Sequence, residues 1–346
     1  MRQTGEDGRV GDVRLDPCPK RMEFGPCGGV RADLTCELGT VPCPFADGAA
    51  VPWTGPPGRS AAPAAFGHKG PVVLTDLTSP PYDPAALGRI VRTIAGSCDA
   101  LLIGQHHDEP DFPPTMLAVL AREAGGHPWV TLTCRDRNRV VLEQDVAGLA
   151  AAGAEAVFCV TGDARGPSVR PDVSQVFDLD GTRLASLAAA AGLPAVVPEA
   201  PDAPPTGLRP ARLAEKQRAG AGAVVLNHAA SPGRVAEFVT AARGHGATLP
   251  VVAGVAVFTD EPGARRLEAF PGLEIDPAAV ERVLTASDPV EAGIEAAVDE
   301  AVALLAVDGV AGVNLSGRGS SGDDDTAAAI KAEIGHRIRS RAGTRG

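Results

Sequence analysis

From residue 71 onward the sequence alternates, eight times over, between a short apolar run rich in β-branched residues and a longer Ala-, Leu- and Arg-rich stretch. The runs are PVVLTD (71–76), DALLIG (99–104), WVTLTC (129–134), AVFCVTG (156–162), PAVVPE (194–199), AVVLNH (223–228), PVVAGV (250–255) and GVAGVNL (309–315). Continuous hydrophobicity marks strands buried on both faces, and the helical stretch after each one makes neighbouring strands parallel. Eight such units in roughly 250 residues predict an α/β fold, a (β/α)8 TIM barrel. A doubly wound parallel sheet is the alternative the pattern leaves open. The expected barrel, with a C-terminal helix, occupies residues 71–346. It follows a small cysteine-rich metal-binding module at 1–46 and a Pro-, Ala- and Gly-rich linker at 47–70.

Four of the seven cysteines fall in that module, in CPKRMEFGPCGGVRADLTCELGTVPC (18–43). Cys18, Cys27, Cys36 and Cys43 are separated by eight, eight and six residues. Four soft thiolates suit a closed tetrahedral zinc site, and GPCGG gives the backbone freedom to fold around an ion. An iron–sulfur cluster uses the same donors, and reduced, unligated thiols are the remaining reading. The polar start of the chain lacks the apolar segment of a signal peptide, so a cytoplasmic location is expected, where thiols stay reduced. A net charge of −11 argues against nucleic acid and anionic membranes as partners, and no apolar run is long enough to span a bilayer.

In a TIM barrel the chemistry lies just past the C-terminal ends of the strands. There the sequence has Asp76 after the first strand and QHHDE (His106, His107, Asp108, Glu109) after the second. Arg135, Asp136, Arg137 and Asn138 follow the third, Asp163 the fourth, and Asn227 and His228 the sixth. Convergent acids, bases and hydrogen-bonding groups are the pattern of an enzyme. The QHHDE group reads as exposed loop or, with His228, as a metal or acid/base site. Arg212 and Lys216, four residues apart, share one helix face and read either as a solvated face or as a phosphate clamp. GRGSSG (317–322) has the form of a dinucleotide loop. Residues 323–346 leave no room for the βαβ unit that such a loop serves, and three aspartates follow it, so it reads as a loop before an acidic helix start.

LTCRDRNRVVLEQDVAGLAAAGAEAVFCVTGD (132–163) resembles the strand-3 and strand-4 segment of methylenetetrahydrofolate reductases. VFDLDGTRLASLA (176–188), RLAEKQRAGAGAVVLN (212–227) and the last apolar run extend the likeness over residues 71 to about 335. The cysteine segment resembles the CPK…GPCGG…C…C zinc module that accompanies some of these reductases. The resemblance implies a barrel holding FAD or FMN, with NAD(P)H as electron donor and reduction of 5,10-methylenetetrahydrofolate to the 5-methyl form. It implies that Asp163 lies near flavin and pterin, Phe177 beside the flavin, and Arg212 and Lys216 on the flavin phosphates. Zinc would sit on Cys18, Cys27, Cys36 and Cys43, and the protein would act as a homo-oligomer or with an electron-transfer partner.

Three positions depart from that family's pattern. Its acid is a glutamate close before a Pro-Pro pair. Here Asp76 lies one residue further from Pro80-Pro81, and a strict register would put Leu77 in its place. Asn227 stands where a pterin-binding glutamine is expected, and Thr131 where some members use a histidine toward the flavin. These departures leave open a folate-binding one-carbon protein whose reductase step is lost or altered.

Overall fold

The computed structural model describes residues 18–39, 41–58, 61–165, 169–269 and 273–343; the N-terminal stretch read above for a signal peptide lies outside them. Eight parallel strands close into one barrel in the order β1-β2-β3-β4-β5-β6-β7-β8. They are β1 (Val72–Leu77), β2 (Ala100–Ile103), β3 (Pro128–Thr133), β4 (Ala156–Val160), β5 (Ala195–Glu199), β6 (Ala223–Leu226), β7 (Val251–Phe258) and β8 (Val310–Gly319). The barrel expectation holds, and each apolar run supplies one strand.

Among the described residues ten α-helices surround it: α1 (Pro84–Ile94), α2 (Pro114–Glu123), α3 (Arg139–Ala152), α4 (Gly181–Ala190), α5 (Arg209–Ala219), α6 (Pro232–Gly244), α7 (Glu261–Glu268), α8 (Pro277–Leu284), α9 (Pro289–Leu305) and α10 (Asp324–Gly343). Several begin on a side-chain cap that accepts a backbone N–H of the first turn, as Asp83, Asn138, Asp180, Ser231 and Asp260 do. Among the described residues no helix is long and apolar enough to cross a membrane.

Strand side chains alternate between lumen and helix layer. Val72, Leu74, Ala100, Leu102, Trp129, Ala156, Val196, Val225 and Val252 form one apolar cluster, which is the lumen. Val73, Leu77, Val130, Leu132, Val197, Val224, Val313 and Leu315 pack with the helices in a second. This parity settles the register in β1: Asp76 follows Leu74 on the lumen side, and Leu77 packs outward. It also sends Asn314 inward and Glu199 outward.

The segment GRGSSG departs from its expected form. Strand β8 runs through Gly319, paired to Phe258 of an extended β7 across a register shift, so the first glycines are strand and not loop. The acidic helix start is as read, with Asp324 and Asp325 in the first turn of α10.

Candidate functional site

At the C-terminal mouth of the lumen the Asp76 carboxylate accepts a hydrogen bond from Asn314 Nδ2 at 2.9 Å. Lys331, buried on α10, donates from Nζ to the Asp76 main-chain carbonyl at 2.7 Å. Burial lowers the Lys331 amine to about 8, although Asp76 opposes the shift. Thr131 is buried in β3 on the lumen side, and Asn227 is half-buried just past β6 with its N–H on the Glu199 carbonyl at 2.8 Å. His228 is buried beside Gly254, where an added Cβ would come within 3.0 Å of the imidazole Cδ2. Burial holds His228 below the ordinary imidazole pKa, opposed by a loose contact with the Val255 backbone and, less, by Asp76. Among the described residues the ring nitrogens of His228 and the Oδ1 of Asn314 make no well-formed hydrogen bond. Buried polar atoms without partners are costly, and a ligand that hydrogen-bonds them removes that cost. Sequence reasoning named Asp76, Thr131 and Asn227 but passed over Asn314 and Lys331.

The β3–β4 rim is laced by arginines. Arg135 donates from Nε to Asp136 at 3.0 Å and from Nη1 to the Asp163 carbonyl at 3.2 Å. Arg165 pairs with the same Asp136, and Arg137 with Asp145 at 2.7 Å. Gly162 adopts φ +92°, and a Cβ there would lie 3.1 Å from those of Thr133 and Arg135, so only glycine turns the chain toward an exposed Asp163. The QHHDE group does not converge. His107 pairs with its neighbour Asp108 at 2.5 Å, and His106 Nε2 lies 3.6 Å from Asp111.

Arg212 and Lys216 do share one buried face of α5, but that face looks onto the barrel wall. Glu199, on the helix side of β5, accepts from Arg212 Nη1 and Lys216 Nζ, both at 2.8 Å, and from Arg209 Nη1 at 3.4 Å. Burial pushes the Glu199 carboxyl up, yet Lys216, Arg212 and Arg209 outweigh it and hold it at about 2. Burial and the adjacent Arg212 bring Lys216 down to about 7. Arg209 also donates to the carbonyls of Pro26 at 3.2 Å and Cys27 at 2.9 Å, which seats the cysteine module on the cluster. Arg212 Nε has no acceptor among the described residues, but Gly25 packs so closely that an added Cβ would lie 3.0 Å from Arg212 Cδ.

On its other side the module holds the β4 loop. Lys20, buried and paired with Glu37, donates to the Gly162 carbonyl at 2.8 Å, and its Nζ lies 6.0 Å from the Phe177 ring centroid. Phe177 is itself buried in the helix-layer core. Among the described residues no hydrogen bond or ion pair joins Asp163 or Phe177 to Arg212 or Lys216. The two cations expected on the flavin phosphates are instead paired with Glu199 beneath the module. As arranged, these residues do not fit a flavin phosphate.

The four module cysteines line one cavity of about 20 Å³ with Met22, Val30 and Phe45. Antiparallel bridges Val30–Cys36 and Thr35–Pro42 fold the segment around it. Burial raises the thiols of Cys18 and Cys43. The donor chemistry suits a thiophilic ion. As spaced, however, no three His, Cys, Asp or Glu among the described residues form a metal centre.

Residues 104–316, more than half of the chain, match the family described as Methylenetetrahydrofolate reductase. No curated protein matches the chain. Among solved structures, an uncharacterized protein from Clostridium thermocellum that binds two copies of 5-methyl-5,6,7,8-tetrahydrofolic acid aligns with a TM-score of 0.55. It shares 10% identity, over 80% of this chain and 98% of that one. Tryptophan synthase from M. tuberculosis, in its open form with BRD0059 bound, aligns with a TM-score of 0.45. It shares 16% identity over 80% of this chain and 96% of that one. At 10% identity the likeness to the Clostridium thermocellum protein is one of fold.

Proposed function

Because this chain belongs to the methylenetetrahydrofolate reductase family, we propose that it binds a reduced folate at the mouth of its barrel and reduces the carbon bridging N5 and N10. The observation that carries this reading is the Asp76–Asn314 pair on the lumen side of adjoining strands. The bridging methylene becomes electrophilic only when its ring opens, and opening needs a proton on the departing nitrogen. A carboxyl group at the mouth can hand on that proton. Asn314 and Asn227 carry amides, which can both donate to and accept from the edge of a pterin ring. The folate-binding protein from Clostridium thermocellum, with the same fold, lends support.

The two electrons would come as a hydride from NAD(P)H; a flavin that relayed it, as in this family, would have to be held at the mouth by groups other than Arg212 and Lys216, which are closed on Glu199. The closure of Arg212 and Lys216 on Glu199 favours a second reading, in which the chain binds folate and handles its one-carbon unit without reducing it. Zinc in the cysteine segment rests on the kind and number of its donors.

The test is a visible spectrum of the purified protein, then titration with 5-methyltetrahydrofolate, then turnover of 5,10-methylenetetrahydrofolate with NAD(P)H, with and without FAD or FMN. Turnover supports the first reading. Folate binding without turnover moves the assignment to the second, and no folate binding overturns both.

A further inference from the structure

Helix α10 sends one charged side chain into the barrel's end. Lys331 is 2% exposed, although a helix residue normally keeps an ammonium in water. Its neighbours Ala327, Ala328, Ile330 and Ile334 are all buried, so position 331 lies within the packed face of the helix. What Lys331 reaches there is the main-chain carbonyl of Asp76. Asp76 is the carboxylate near the amine; the other ionisable groups close to it are Arg318 and Cys98. The side chain of Asp76 is held separately by Asn314 from the adjoining strand. The residue is thus fixed at its backbone by a helix and at its carboxylate by a strand. A single Asp restrained from two elements keeps one orientation without relying on the loop that follows it.

We propose that Lys331 is a positioning residue for Asp76: its ammonium pins the carbonyl at the end of β1, so that the carboxylate, steadied by Asn314, meets the ligand in one orientation. The C-terminal helix is thereby part of the site. The inference rests on the folate reading above. The bland alternative is a tie between α10 and β1 that matters for stability and not for the ligand.

A double-mutant cycle separates them, with wild type, Asp76→Ala, Lys331→Met and the double variant. Each is titrated with 5-methyltetrahydrofolate by calorimetry and melted in parallel. Lys331→Met is expected to weaken folate binding about tenfold, the scale of one charge-assisted hydrogen bond. Its melting temperature should stay level or rise, because methionine fills the space without burying a charge. In the Asp76→Ala background the same substitution should change affinity less than twofold. Should methionine at this site unfold the chain, Lys331→Gln carries the cycle. Independent, multiplying effects of the two substitutions overturn the inference alone, as does a Lys331 variant of unchanged affinity. A wild-type chain that binds no folate overturns the folate reading, and this inference with it.

Discussion

Replacing Glu199 by glutamine removes the carboxylate held by three buried cations while keeping size and shape. Two routes give its cost. The Glu199 carboxyl is held at about 2 against a free value of 4.5, which corresponds to about 3 kcal/mol of preference for the charged form. Deleting one partner of a buried ion pair typically costs about 3–5 kcal/mol, because the remaining charge is left uncompensated. Lys216, already at about 7, gives the variant one escape by losing its proton, so the lower figure is expected. Because the folded-state pKa of Glu199 is depressed, its contribution is complete above the unfolded value of 4.5 and disappears as pH falls through about 2. Urea unfolding at pH 7 should show a loss of about 3 kcal/mol, a midpoint roughly 1 M lower. The two tryptophans report on different parts: Trp53 packs at a tilt against Phe24 of the module, ring centroids 4.8 Å apart, and Trp129 lies in the lumen. Arg209 links the cluster to the module carbonyls, so the Trp53 signal should change at lower urea than that of Trp129. Adding Lys216→Met should recover part of the loss. A Glu199→Gln chain within about 1 kcal/mol of wild type at pH 7 refutes the argument that these cations are committed to one carboxylate.

Three further outcomes follow from other sites. Glu300 on α9, whose Oε2 accepts from the Ala256 N–H at 3.1 Å, is pushed by burial to about 7. Its raised pKa means that stability is complete below 4.5 and declines as pH rises through about 7. Glu300→Gln should therefore stabilise by up to about 3 kcal/mol in melts at pH 8 and be neutral at pH 4. Lys20→Met leaves Glu37 without its cation and frees the Gly162 carbonyl, so limited proteolysis should cut residues 18–46 at least tenfold faster while the barrel melts as before. If zinc occupies the module, native protein should show no reactive thiol until a chelator exposes Cys18, Cys27, Cys36 and Cys43. Cys98, Cys134 and Cys159, whose thiols burial pushes far up, should wait for unfolding in a thiol-titration assay.

The barrel was legible because burial on both faces leaves a continuous apolar run, which needs no tertiary knowledge to detect. Asp76 was legible as a residue but not as a register. Counting from Pro80-Pro81 allows Leu77 in its place, whereas the alternation from Val72 through Leu74 fixes Asp76 in the lumen. Asn314 was missed, though the same alternation from Gly312 within β8 would have found it. Lys331 had a signal too, since it is a lone charge within the stripe formed by Ala327, Ile330, Ile334 and Ile338 on α10. A charge in that position is either a misjudged face or a reach for a distant partner, and here it is the latter.

The cation pair on α5 shows where spacing stops informing. A separation of four residues says that Arg212 and Lys216 point the same way; it does not say which way. That depends on whether the facing strand offers a charge, and the strand's own parity decides it. In PAVVPE, Val197 faces the helices, so Glu199 two residues later does the same, directly beneath the turn of α5 that carries the cations. Had the run been one residue longer or shorter, Glu199 would face the lumen and the two cations would be left without a counter-charge. Their pairing follows from two periods, 3.6 along the helix and 2 along the strand, meeting in register, and neither period alone contains it.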